Sequence, residues 1–332
     1  MHKLSPLVGL VLGLLATGVA HADDTQPSWL PKNLRRPLNS LTIGFANQGP
    51  SLNAYAAEYL EVFNAYAKEL GVRTIVTDAQ LDPARQATQI RDIVTQHPDV
   101  LIVWPANGKA VVPSLRQVHQ ASIPVVVSNA TIDETGVKYQ TAYTGPHDYE
   151  EAKSAGKMMV DALGGKGSIV MLNGMPGYNV SADRYNGFMD YIKNFPSIKV
   201  LDSQPANFSQ EKGQALMENM ITRFGRQIDG VYSVDSAVAI GALSAIKAAA
   251  ADGKVDAAKI KMTDCTMFGQ IWDAIKSGEY TGSVSQPPAE DAKLALRTAI
   301  LIAEGQTVPV TIYMDTPAIT KANVETVARP RF

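Results

Sequence analysis

From residue 41 almost to the end of the chain, short apolar runs alternate with amphipathic stretches of helical period, and this alternation leaves few folds open. Runs at 41–46, 73–77, 100–104, 123–128 and 141–144 read as strands, with helices at 53–70, 83–96 and 109–121 between them. Asp82 and Pro83 form an N-cap and first-turn pair, and Gly71 is placed as a helix stop. A helix at 148–163 ends at Gly164-Gly165, and the pattern then starts again. Strands are expected at 168–172, 199–203, 230–233, 260–263 and 281–285, and helices at 180–194, 210–224, 236–251 and 267–276. A helix at 288–304 and a strand at 310–314 follow. The strands are continuous Val/Ile/Leu runs, so burial on both faces is expected. Strands joined by helices then form parallel sheets through right-handed crossovers. The fold class is α/β, with two doubly wound parallel-sheet lobes and a boundary near Gly145-Pro146.

In such sheets ligands sit outside the carboxyl ends of the strands. That rule directs attention to residues 47–55, Trp104, Asn129, the segment 174–179, Phe208, Asp235, Asp264 and Gln286.

The first 22 residues have a different character. Lys3 precedes an uncharged apolar run at 7–20, and Ala20-His21-Ala22 puts small residues before Asp23. This is the pattern of a secretory signal peptide, and at about 14 residues the run is short for a membrane span of about 20. Cleavage before Asp23 and a periplasmic location are expected. Residues 23–39, with Pro27, Pro31 and Pro37, read as an extended arm.

A formal charge of −2 over 332 residues argues against a general nucleic-acid binder. The one cysteine, Cys265, excludes an intrachain disulfide and a Cys-rich metal site, and a buried inert thiol is expected there. The five histidines are scattered, without HExxH spacing, so no metal is expected. GxSxG and GxxxxGK[ST] are absent, and Gly165-Lys166-Gly167 precedes a strand and opens no helix. With no nucleophile–base pair and no cofactor motif, neither catalysis nor a cofactor is expected.

Several segments carry a family likeness. These are IGF at 43–45, ELG at 69–71, IPVVVSNA at 123–130, NGMPGYNVSADRYNGF at 173–188, SQPANFSQEKG at 203–213, SVDSAVAIGALSAI at 233–246 and TGSVSQPP at 281–288. In this order, and over nearly the whole chain after the leader, they resemble the periplasmic sugar-binding proteins of ABC importers, of the ribose-binding type. Their fold is shared by the ligand domains of LacI-type repressors.

The resemblance implies two lobes joined by three crossovers. The lobes would be 40–144 with 288–313, and 146–286 with 316–328. It implies a monomer that captures a small sugar, polyol or amine-bearing analogue and delivers it to a membrane permease. A sensor subunit serving a chemoreceptor or histidine kinase is the alternative. It places Asn53, Asn129, Asp264 and Gln286 on hydroxyl-binding positions, and Tyr55 and Phe208 on stacking positions. Asp235 falls on a polar pair of the family, and Arg184 on an arginine read as structural near the cleft. Asn129-Ala130 stands in place of an Asp-Arg pair, and Ala182 in place of a second arginine. Asp235 and Asp264 in a closed cleft then need a cationic ligand, a raised pKa or a nearby cation. Trp104, at a strand end, is a candidate to cover a cationic group.

Overall fold

The computed structural model describes residues 27–331. The expected leader, its cleavage point and the start of the arm lie outside the described residues. Residues 27–34 belong to a small unit of their own, which turns where Leu30 N donates to Pro27 O at 2.9 Å. The second unit begins at Arg35 and holds both sheets.

The elements begin β1 (Thr42–Asn47), α1 (Ala54–Glu69), β2 (Arg73–Asp78), α2 (Pro83–Val94), β3 (Val100–Val103), α3 (Val112–Gln120), β4 (Val125–Ser128) and β5 (Ala142–Gly145). Next come α4 (Asp148–Leu163), β6 (Gly167–Asn173), α5 (Asn179–Ile192), β7 (Ile198–Pro205), α6 (Gln210–Phe224), β8 (Gly230–Ser233) and α7 (Ser236–Ala251). Then β9 (Lys261–Thr266), α8 (Gly269–Ser277), β10 (Gly282–Ser285), α9 (Pro288–Ala303), β11 (Thr311–Tyr313) and β12 (Ala318–Thr320) complete the order.

One six-stranded sheet runs β11-β5-β4-β3-β1-β2 with all pairs parallel. The other runs β12-β10-β9-β8-β6-β7, parallel except for the antiparallel β10–β12 pair. The chain passes between the sheets three times: after β5, after β10 and after β11. α9 follows a strand of the second sheet but packs on α1 and on β3, β4 and β5 of the first. Each sheet has its own apolar core. One gathers Ile93, Leu101, Leu115 and Val127, and the other Met159, Ile169, Phe188 and Val284.

Local chemistry explains most boundaries. Asp82 caps α2 by accepting from Ala84 N at 2.8 Å and Arg85 N at 3.2 Å, with Pro83 at the first turn. α3 starts later than its sequence pattern because Asn107 Oδ1 takes the amides of Lys109 (3.1 Å) and Ala110 (2.9 Å), making a turn before the helix. Burial on both faces holds for the inner strands only. β2 and β7 lie at sheet edges and are largely half-buried or exposed. β12, only three residues long and directly after Pro317, has no signature in the apolar pattern.

The tail beyond β12 returns to the joint between the two sheets. There a cavity of about 680 Å³ is lined by Gln286, Pro287, Tyr313 and residues 327–331, among others. Arg329 grips Asp273 of α8 at 2.8–3.1 Å, and Arg331 grips Glu61 of α1 at 2.7 and 2.8 Å. Two residues apart, these arginines hold opposite lobes.

Candidate functional site

The carboxyl ends of the two sheets face one another across a cavity of about 30 Å³. Leu52, Asn53, Tyr55, Trp104 and Asn129 line it from the first lobe, and Tyr178, Val180, Arg184, Phe208, Asp235 and Thr266 from the second. Gln286, in a connecting segment, completes the lining. Seven of the eight residues singled out in the sequence as ligand-binding therefore meet here: Asn53, Tyr55, Trp104, Asn129, Phe208, Asp235 and Gln286.

Asp264 is the exception. Its Oδ2 accepts a short hydrogen bond from Ser236 Oγ, and it stands behind that serine, fully buried and off the cavity wall. The length of β9 accounts for this: the strand continues two residues past Asp264, and Thr266, at its end, reaches the cavity. Ala182 is exposed and turned away from the cavity.

Two of the polar residues are helix caps aimed at each other. Asn53 Oδ1 accepts from Ala56 N at 3.1 Å at the start of α1. Asp235 Oδ1 accepts from Val238 N at 2.9 Å at the start of α7. Their remaining atoms join across the cleft, Asn53 Nδ2 donating to Asp235 Oδ2 at 3.0 Å. A ligand hydroxyl inserted there meets one donor and one acceptor, the pairing a sugar hydroxyl satisfies.

A second chain of hydrogen bonds runs beneath the cavity. Arg184 is 2% exposed and donates to Asp148 (2.8 Å), Glu151 (3.0 Å), Val234 O (2.9 Å) and Gln286 Oε1 (2.7 Å). Gln286 Nε2 donates to Tyr55 Oη at 3.0 Å, and Tyr55 Oη donates to Asp291 Oδ2 at 2.8 Å. Asn129 Nδ2 donates to the same Asp291 oxygen at 2.7 Å. Asn129 occupies the left-handed region at φ 64°, which asparagine tolerates, and this turns its amide inward. The chain thus runs from α4 through the crossover to α1 and α9.

Burial pushes the carboxyl of Asp235 up to about 6 and those of Asp264, Asp291 and Glu151 up to about 7. The Val238 amide and the nearby Arg184 charge oppose that rise at Asp235. Asp264 stands off the wall, so Asp235 is the one of the two aspartates that faces the cavity. Burial likewise pushes the Cys265 thiol up, and the residue is fully buried.

Four rings complete the walls. Trp104 packs on Tyr59 at 4.9 Å and edge-on to Tyr55 at 6.2 Å. Its Nε1 donates across the cleft to Tyr178 Oη at 3.0 Å, and Tyr178 meets Phe208 edge-on at 5.8 Å. Around this bond the rims touch closely. Asn107 Nδ2 donates to Gly177 O at 3.1 Å, Asn179 Nδ2 to Thr131 Oγ1 at 3.3 Å, and Thr131 Oγ1 to Asp183 Oδ2 at 3.2 Å. Gly108 lies against Asn179 so tightly that a Cβ would fall 2.5 Å from its Oδ1.

The pattern of the sequence pointed to the segment 174–179 without selecting Tyr178, and it missed Asp291. An acid in the first turn of a helix is ordinarily a solvated partner of the helix dipole, so nothing local marks Asp291 as buried. Among the described residues no group of three or more His, Cys, Asp or Glu is placed to hold a metal ion. No helix among them is long and apolar enough to cross a membrane.

Two parallel-dominated sheets with flanking helices, joined by three crossovers and facing each other across a polar, ring-walled cleft, define a two-lobed solute-binding architecture, that of type I periplasmic binding proteins. The chain belongs to the periplasmic binding protein family, whose domain model matches residues 43–307. The xylitol-binding protein of Mycolicibacterium smegmatis is 28% identical over 274 residues, covering 82% of this chain and 76% of its own. The galactofuranose-binding protein YtfQ of Escherichia coli is 31% identical over 252 residues, 75% of this chain and 78% of its own. The crystal structure of a galactofuranose-binding protein superposes with a TM-score of 0.79 at 27% identity, covering 86% of this chain and 96% of that one.

Proposed function

We propose that this chain is a periplasmic receptor that captures a small neutral polyol or sugar between its lobes and delivers it to the permease of an ABC importer, without turnover. The observation that carries the reading is the cleft itself. A donor–acceptor pair, Asn53 and Asp235, spans it, and Tyr55, Trp104, Tyr178 and Phe208 wall it. Hydroxyls take the first and C–H faces the second. The relatives are named for xylitol and galactofuranose, which supports this ligand class.

A volume of about 30 Å³ holds a water or two and no sugar. Entry of a ligand therefore means that the lobes part about the three crossovers and close again. We take the moving bodies as 40–144 with 288–313, and 146–286 with 316–328. The protein acts as a monomer, with a leader removed before Asp23.

The test is isothermal titration of the protein, without its first 22 residues, against xylitol, D-ribose, D-allose, myo-inositol and sucrose. Micromolar or tighter binding of at least one five-carbon compound is expected. Binding of none of the five overturns the reading.

A further inference from the structure

Of the four rings around the cleft, Tyr178 is held differently from the other three. Tyr55 is fixed by Asp291 and Gln286, both bonded to its hydroxyl. Trp104 is packed on Tyr59, and its carbonyl accepts from Gln86 Nε2 at 2.7 Å. Phe208 is carried on the short connection between β7 and α6. Tyr178 follows the exposed pair Pro176-Gly177, with Gly177 at φ 79°, a conformation that suits glycine. The hydrogen bond to its hydroxyl comes from the opposite lobe, from Trp104.

Tyr178 is also a partition. On its inner side lies the cavity of about 30 Å³. On its outer side a surface depression of about 340 Å³ is walled by residues of the 173–178 turn together with Ser181, Tyr185 and Pro205. Tyr178 is the one residue common to the two linings. Its ring therefore ends the binding space at that side. Sites for small molecules usually occupy about 300–1,000 Å³, a range the inner cavity misses and the outer depression reaches.

We propose that Tyr178 is a specificity-determining residue, the wall that closes the binding space off from the outer depression and so limits the size of the ligand. The proposal rests on the reading of the cleft as a polyol or sugar site. Trp104 holds the ring in the closed arrangement seen here, and a ligand that widens the cavity finds the ring ending the space on that side. A larger ring compound meets the tyrosine before the rims can touch.

Isothermal titration of wild type, Tyr178→Phe and Tyr178→Ala against xylitol, D-ribose, D-allose, myo-inositol and sucrose tests this. Wild type is expected to bind a five-carbon compound at least tenfold more tightly than any six-carbon ring. Tyr178→Phe keeps the ring and loses the bond to Trp104. It is expected to preserve that ratio while every affinity falls about two- to tenfold, the worth of one net hydrogen bond. Tyr178→Ala joins the two spaces and is expected to bring the ratio below threefold. Three results overturn the proposal: a wild-type ratio near one, a ratio that Tyr178→Ala leaves unchanged, or a ratio that Tyr178→Phe alone abolishes. If Tyr178→Ala does not fold, Tyr178→Leu, which removes the ring but keeps an apolar side chain, takes its place with the same expected fall in the ratio, and an unchanged ratio again overturns the proposal. Wild type binding none of the compounds overturns the underlying reading, whereas binding with an unmoved ratio overturns only the role of Tyr178.

Discussion

Gly108 offers a way to hold the lobes apart without touching any ligand-facing group. A Cβ at this position would lie 2.5, 2.7 and 2.8 Å from the Oδ1, Cγ and Nδ2 atoms of Asn179 on the opposite rim. An alanine is tolerated if Asn179 swings away and gives up its bond to Thr131, which costs about 0.5–1.5 kcal/mol. A valine leaves no such escape and wedges the rims. The neighbouring bonds, Trp104 to Tyr178 and Asn107 to Gly177, then fail with it. Three bonds at that value come to about 1.5–4.5 kcal/mol, so affinity should fall about ten- to a thousandfold for Gly108→Val and about two- to tenfold for Gly108→Ala. The loss operates through the closed population, which sets the apparent dissociation constant. Gly108 does not occupy the left-handed region, so neither substitution strains the backbone, and the unliganded melting temperature should move by no more than about 2 °C. Titration with the five-carbon compound that wild type binds, beside thermal denaturation without ligand, provides both readings. Wild-type affinity in Gly108→Val would refute the reasoning, as would a large fall in unliganded stability.

Two further outcomes follow from the buried charges. Arg184→Met strips Asp148 and Glu151 of their cation inside the protein and should cost about 3–5 kcal/mol in urea unfolding; a loss under 1 kcal/mol would show that those acids are already neutral. Asp291 titrates at about 7 in the folded protein, above its ordinary value, so its contribution to stability is fully present below pH 4 and is lost as pH rises towards 7. Asp291→Asn cannot titrate, so its melting temperature should fall less than that of wild type between pH 5 and pH 8, and equal falls would remove Asp291 from the account.

The alternation of apolar runs and helical stretches made both sheets and nearly every element legible, because inner parallel strands must be apolar on both faces. The Asp82 cap was legible for a similar reason: its chemistry is completed within three residues. β12 was not, because three residues at a sheet edge carry too little burial to leave a pattern. Asp264 lay on a strand predicted to end at the cleft, but β9 runs further than its apolar residues do. That extension sets Asp264 back and brings Thr266 to the wall. Asp291 was hidden for the opposite reason. Its partners, Tyr55 and Asn129, lie 236 and 162 residues away, and only the return of α9 to the first sheet brings the three together.

The tail also bears on how the joint moves. Arg329 and Arg331 fasten α8 and α1 from two adjacent points on one strap, so a rotation that separates these helices must stretch the tail or break an ion pair. Exposed pairs of this kind are worth about 0–1 kcal/mol and weaken as ions screen them. The strap thus acts as a weak spring whose stiffness is set by the surrounding solution. In dilute buffer it resists opening, and in strong salt the same joint swings more freely, with no change in the cleft.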